Sequence, residues 1–245
     1  MALEKWRASH PNSPASKWTD SFYMTGDYDC ASIDYKPQYA DAGFKSMVNF
    51  YFPKHGDLDN ITYTWQAYAD SVASHNDWHP FSYLNNSYHR DADSTNMIDC
   101  ATTLLLSPGV AQVFYGDETG RKLSEARLNV DSDQAFRSDM NWNNINDTLL
   151  QHFQKLGKIR NSNAVIGTGK QQTLDVHTCI RFNDADTILI RLKPSNGELI
   201  KTQNIFSDGT TVIELYTGQT AIVKNGFVSF PKYENNVAII KELKN

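Results

Sequence analysis

The chain has 245 residues, a formal net charge of −5, and 40% hydrophobic against 21% charged residues. That length suffices for one large domain or two modest ones, and an acidic balance with no basic block excludes a general nucleic-acid binder. No stretch reaches the roughly 20 apolar residues of a membrane-crossing helix. The first residues, Met1-Ala-Leu-Glu-Lys-Trp-Arg7, hold no apolar signal core. The reading is therefore cytoplasmic, or periplasmic or secreted if these residues are the tail of a longer precursor. Cys30, Cys100 and Cys179 are widely spaced and odd in number. They form no metal-binding spacing and no obligatory disulfide framework, and one bridge plus a free thiol stays open.

In chain order, a helix is expected over residues 1–9, ended by His10-Pro11, and a short strand over 21–25, stopped at Gly26-Asp27. A second strand covers 46–52 up to Pro53. Trp65, Tyr68, Ala69 and Val72 recur at helical spacing, so residues 64–74 read as a helix. Residues 81–84 form a third strand before the polar loop 85–94. Met97, Ile98, Ala101, Leu104 and Leu105 mark a helix that stops before Pro108. The run 110–115 is continuously apolar and is expected to be buried on both faces of a parallel sheet. Gly116-Asp117-Glu118 follows at its carboxyl end, where barrels and doubly wound folds place their ligand chemistry.

Alternating strands and helices of this kind argue for a parallel sheet. After a long polar loop over 121–146, Asp147-Thr148 is expected to cap a helix carrying Leu149, Leu150, Phe153 and Leu156. From about residue 170 the pattern changes. Strand-like runs at 178–182, 187–192, 201–206, 211–216, 221–223, 227–230 and 237–241 alternate with Asn-Asp, Ser-Asn-Gly, Ser-Asp-Gly and Asn-Gly turns, which points to an antiparallel β-sandwich. The division falls near Gly167-Thr-Gly169, giving domains 1–168 and 169–245.

Several of these stretches resemble the α-amylase family of glycoside hydrolases, family 13. Phe22-Tyr-Met-Thr-Gly-Asp-Tyr28 is similar to the fifth barrel strand of that family, and Gly43-Phe-Lys-Ser-Met-Val-Asn-Phe50 to the sixth. Phe81-Ser-Tyr-Leu-Asn-Asn-Ser-Tyr-His89 resembles the seventh and Val110 to Arg121 the eighth. Arg137-Ser-Asp-Met-Asn-Trp142 with Phe153-Gln-Lys-Leu-Gly-Lys-Ile-Arg160 resembles the segment that closes the barrel. The resemblance covers nearly the whole chain. It implies an α/β plus all-β architecture: the second half of a (β/α)8 TIM barrel, strands five to eight, followed by a C-terminal antiparallel β-sandwich.

What the resemblance implies for chemistry is less complete. Retaining glycosidases use a nucleophilic carboxylate and a protonated acid about 5–5.5 Å apart. The family's nucleophilic Asp ends strand four, ahead of the first residue here, and its neighbouring Arg with it. The general-acid Glu corresponds to Asp27, one methylene shorter, and a shift of about 1 Å in a catalytic group can cost about a hundredfold. The family's His-Asp pair after strand seven corresponds to Ser87-Tyr88, with His89 and Asp91 on offer if the loop slips. The expected sites are thus Asp27 as an altered acid and Tyr88, His89, Asp91 and Asp117 as sugar ligands, each set against a plain reading as solvated or supporting loop residues. No metal site and no cofactor is expected. Asn-rich loops suit calcium, which the family often binds, but its usual ligand loops lie mostly outside this stretch.

His55, His75 and His79 lack metal spacing and read as surface histidines around Trp65 and Trp78. Asn60-Ile-Thr62, Asn85-Asn-Ser87 and Asn146-Asp-Thr148 match glycosylation acceptors. Two functions stand side by side: an α-amylase-like hydrolase of α-1,4-glucans, inactive alone as a C-terminal fragment or degenerate form, and a non-catalytic carbohydrate-binding or scaffold protein. The expected partners are an α-glucan or maltooligosaccharide and either an N-terminal half or a second copy. The second copy follows because four parallel strands leave two open edges.

Overall fold

The computed structural model describes residues 2–17, 23–28, 31–75, 78–86, 92, 94–122 and 137–244. Helix α1 (Ala2–Ser9) and a 3-10 turn (Pro14–Lys17) precede a four-stranded sheet of β1 (Thr25–Gly26), β2 (Ser46–Asn49), β3 (Phe81–Tyr83) and β4 (Val110–Gln112). The strands lie in sequence order and every pairing is parallel. The connections carry α2 (Pro37–Asp41), α3 (Ile61–Ser74) and α4 (Met97–Leu105), as parallel pairing demands. α3 begins three residues earlier than its apolar spacing suggested, because Ile61 and Thr62 are buried too.

The fourth strand departs from expectation. It was expected to be buried on both faces, yet all three β4 residues are only partly buried, and Val113 and Tyr115 just beyond keep 40% and 38% of their surface. The reason is position: β4 is an edge of the sheet, so its apolar run has only one neighbour. Its start is fixed by Gly109, at φ +84, where a Cβ would lie 2.4 Å from the Pro80 carbonyl oxygen.

Helix α5 (Asp147–Ser162) is capped by Asn146, whose side chain accepts from the Leu149 amide at 3.1 Å, and not by Asp147-Thr148. A single turn, α6 (Val165–Thr168), leads into the antiparallel part. There β5 (Lys170–Asp175), β6 (Thr178–Phe182), β7 (Thr187–Leu192), β9 (Thr211–Glu214), β10 (Thr220–Ile222) and β12 (Val237–Glu242) form one sheet, ordered β10-β9-β12-β7-β6-β5. β8 (Ile200–Lys201) and β11 (Phe227–Val228) make a separate ribbon. The strand expected at 201–206 is mostly a turn: Ile205 and Phe206 amides both return to the Thr202 carbonyl, and Asn204 sits at φ +67.

Besides a small cluster of Ala31, Met47 and Trp78 beside the parallel strands, two larger cores follow from this layering. One joins Trp65, Leu104 and Leu156 of the helices to Ile188, Ile190 and Ile239 of the antiparallel sheet. The other lies on that sheet's far face, where Leu189 and Ile240 meet Phe206, Val228 and Phe230.

The seam between the helices and the antiparallel sheet is also polar at chosen points. Arg181, with no exposed surface, donates to Gln171 Oε1 at 2.6 Å, the Ile166 carbonyl at 2.7 Å and the Leu106 carbonyl at 3.2 Å. Arg160 donates to the carbonyls of Leu105, Ser107 and Gly109 at 2.9, 2.7 and 2.5 Å. Both guanidiniums therefore sit on orphan carbonyls past the end of α4, where a cation also suits the helix dipole. Burial lowers the pKa of each to about 10, helped for Arg160 by the nearby Arg181.

Further along the seam, buried His152 contacts the Tyr216 hydroxyl at 2.7 Å through Nδ1 and both Thr102 Oγ1 and the Ile98 carbonyl at 3.0 Å through Nε2. Burial brings its pKa down to about 4.

Candidate functional site

The carboxyl ends of parallel strands collect polar groups because each strand stops there and its backbone turns away. Asp27 follows β1 and is exposed. β2 ends on Asn49, whose amide donates to the Tyr68 hydroxyl at 2.8 Å. Burial pushes that phenol up to about 12. Beyond β2, the buried Lys54 ammonium reaches the Tyr83 hydroxyl at 3.2 Å and lies 4.3 Å from that ring's centre, a cation held by an aromatic face. Past β3, Asn85 is 2% exposed and donates to Asp117 Oδ1 at 2.7 Å, while its Oδ1 accepts from the Ala92 amide at 3.1 Å.

Asp117 follows β4 and is itself 1% exposed. Gly116 before it sits at φ +91, and a Cβ there would come within 2.5 Å of the Arg121 side chain, so the turn admits only glycine. Glu118 folds back to accept from the Gly116 amide at 2.9 Å. Arg121 packs 4.2 Å from the Tyr115 ring centre and donates to Ser138 Oγ at 2.5 Å. Asn141 then brackets the turn, accepting from Thr119 Oγ1 at 2.6 Å and donating to the carbonyls of Thr119 and Asn144. Asn85, Asp117, Arg121, Lys122 and Met97 line a cavity of about 300 Å³ at this end of the sheet.

The structure thus brings Asp117 together with Asn85 and places Asp27 elsewhere. β1 and β4 are opposite edges of the sheet, so three strand spacings of about 4.8 Å, roughly 14 Å in all, separate them. Tyr88, His89 and Asp91 lie outside the described residues. As a glycosylation acceptor, the chemical role its sequence suggests, Asn85 is ruled out by its burial. The sequence offered no signal for its pairing with Asp117, which lies 32 residues on. Among the described residues no three His, Cys, Asp or Glu side chains converge as a metal site.

No family profile matches the chain. Over 185 residues it is 30% identical to a periplasmic alpha-amylase of Escherichia coli (strain K12), an alignment covering 71% of this chain and 25% of that relative. The chain belongs to the α-amylase family. An amylopullulanase of Thermoanaerobacterium thermosulfurigenes is 36% identical over 171 residues, 60% of this chain and 9% of that protein.

Among solved structures, an alpha-amylase from Geobacillus thermoleovorans complexed with acarbose superposes with a TM-score of 0.62 at 12% identity, covering 99% of this chain and 57% of that one. An Anoxybacillus alpha-amylase gives 0.60 at 14% identity, covering 91% and 53%. These two likenesses bear on the fold alone. The α-amylase-family chain thus spans a quarter of the curated periplasmic relative and just over half of each structural neighbour. No helix among the described residues is long and apolar enough to cross a membrane.

Proposed function

We propose that this chain is an α-amylase-like polypeptide that holds α-1,4-glucan at the carboxyl ends of β1–β4, and that it does not hydrolyse glucan on its own. In this reading residues 1–168 are the barrel part and 169–245 a β-sandwich, Asp27 is the altered general acid, and Asp117, with Tyr88, His89 and Asp91, are the sugar ligands.

One observation carries the reading. Asp27, at the position of the family's general acid, stands exposed past β1 at one edge of the sheet and is one methylene shorter than the Glu that position calls for. Retaining hydrolysis asks for a pair of carboxylates about 5–5.5 Å apart and inverting hydrolysis for about 6.5–9.5 Å. Asp27 is the one carboxylate among the described residues at a position matching a catalytic one of the family, so it has no matching partner for such a pair, while hydroxyl binding asks only for polar groups along one cleft. Maltoheptaose binding measured by calorimetry, with no shorter products after a day, is the expected result. Products abolished by Asp27→Asn would make the chain a hydrolase, and absence of binding would remove glucan altogether.

A second reading rests on the edges. β1 and β4 each pair on one side only in the described sheet, and unpaired edges seek partners. An N-terminal half barrel or a second copy would close them. A monomeric mass in sedimentation, with one cooperative unfolding step, would dispose of the second copy.

A further inference from the structure

Three turns of the antiparallel part, Ser195-Asn-Gly197, Ser207-Asp-Gly209 and Asn225-Gly226, serve the fold and also carry chemistry. Asparagine followed by glycine is the pair in which a main-chain nitrogen most easily reaches the preceding carboxamide, because glycine has no side chain to block the approach. The chain has two such pairs, and they are held differently. The Asn196 side-chain oxygen accepts from the Tyr233 amide at 2.8 Å, and the Gly197 amide donates to the Phe230 carbonyl at 3.0 Å. Asn225 is exposed, and its carboxamide makes no hydrogen bond among the described residues.

Asn225 and Gly226 form the tip between β10 and β11. The Lys224 amide donates to the Phe227 carbonyl at 2.9 Å and the Phe227 amide returns to the Lys224 carbonyl at 3.0 Å, with Asn225 at φ +52 and Gly226 at φ +76. A two-residue hairpin with both central residues in the left-handed region is the conformation that Asn-Gly favours. The tip leans on Asp208, an exposed residue of the preceding turn. Its carboxylate accepts from the Asn225 amide at 3.0 Å through Oδ2 and from the Gly226 amide at 2.8 Å through Oδ1.

We infer that Asn225 is a deamidation site whose rate is set by the Asp208 carboxylate. In the reaction the Gly226 nitrogen gives its proton to water or hydroxide and bonds to Cγ of Asn225. The Cγ–Nδ2 bond breaks, ammonia leaves after taking up a proton, and a five-membered succinimide remains. Water then opens that ring at one of its two carbonyls, giving aspartate or isoaspartate with no oxidant or reductant involved. The proton that must leave is the one Asp208 holds. The nitrogen left behind carries negative charge beside a carboxylate, which like-charge repulsion disfavours. The clamp also pins the tip against the swing that brings Cγ onto the nitrogen. Either product adds a second carboxylate beside Asp208, and isoaspartate also lengthens the main chain by one methylene, so the two amides no longer face Asp208 together. The change reaches inwards, because the Gly226 carbonyl accepts from the Thr202 amide at 2.8 Å and β11 places Val228 in the far-face core.

The test is peptide mapping by mass spectrometry of the full chain aged in mildly alkaline buffer, with Asn225 and Asn196 followed in the same sample. Asn225 is expected to convert faster than Asn196. Asp208→Ala is expected to speed conversion at Asn225 about tenfold, the scale of losing one hydrogen bond to a charged group, and to leave Asn196 unchanged. If Asp208→Ala does not fold, Asp208→Ser takes its place with the same expectation. An unchanged rate at Asn225, or an equal rise at both sites, would overturn control by Asp208. Wild-type conversion no faster at Asn225 than at Asn196 would overturn the site itself. Hydrogen exchange at the Thr202 amide is expected to quicken in the aged chain, and exchange equal to that of fresh chain would overturn the link to the β8–β11 ribbon.

Discussion

The two sheets treat their interiors differently. In the antiparallel sheet, β7 and β12 are apolar and buried on both faces: Ile188, Ile190, Leu192 and Ile239 meet the helices, and Leu189 and Ile240 meet the β8–β11 side. In the parallel sheet the buried positions of β2 and β3 include Ser46, Asn49 and Ser82, continued by Asn85 and Asp117. The first arrangement maximises apolar surface removed from water. The second gives some of that up to arrange hydroxyls, amides and carboxylates at strand ends. Stability is therefore concentrated in the antiparallel sheet and its seam, and the proposed ligand chemistry lies in the parallel sheet.

That contrast can be broken most directly at the seam. Arg181→Ala leaves the carbonyls of Ile166 and Leu106 and the Gln171 side chain without their cation, and is expected to cost about 4 kcal/mol in urea unfolding. A loss under 1 kcal/mol would mean the seam is not a centre of stability. Next, Ile190→Ala should cost about 3.5 kcal/mol through lost burial and the cavity left behind, whereas Val113→Ala on the parallel edge should cost under about 1 kcal/mol. Equal losses would erase the difference between the sheets.

The pH dependence sharpens the same point. His152 has a folded pKa of about 4 against an ordinary 6.5, so between those values the unfolded chain binds the proton and the folded chain does not. Its contribution is complete above about pH 6.5 and falls away as pH drops to about 4, a loss of about 3.5 kcal/mol at about 1.4 kcal/mol per unit. His152→Gln should flatten the stability profile in that window. A more modest loss than at the seam is expected at the candidate site. Asn85→Ala takes a donor from Asp117 and an acceptor from the Ala92 amide, and is expected to cost about 2 kcal/mol in stability. It should also weaken maltoheptaose binding, which calorimetry would read.

Much of the parallel sheet was legible because its helices follow a 3.6-residue pattern and its strands stop at Gly or Pro. β5 was not, since Lys170-Gln-Gln-Thr-Leu-Asp175 has no apolar alternation. It is a strand because α3 holds it from outside: Gln171 Nε2 donates to the Thr62 carbonyl at 2.7 Å, and the Thr173 amide donates to Gln66 Oε1 at 2.9 Å. The edge position of β4 was also hidden, because an apolar run says nothing about how many neighbours a strand has. At the site, residue type pointed to Asp27 and Asp117 separately. That they stand on opposite edges is a matter of strand order, which the sequence does not spell out. The Met-Asn-Trp and Leu-Gly-Lys-Ile-Arg stretches were recognisable as patterns, but their work emerged only in three dimensions: Asn141 brackets the turn after β4 and Arg160 closes the end of α4.

Arg181 also bears on modularity. The carbonyls it holds belong to Leu106 at the end of α4 and Ile166 in α6, whereas Arg181 itself belongs to β6. Cutting the chain between α6 and β5 would leave one fragment with a stranded guanidinium and the other with bare carbonyls, each in a surface shaped to be dry. The antiparallel sheet is therefore a poor unit for transplantation: grafted onto a foreign catalytic domain, it would need the end of α4 to travel with it.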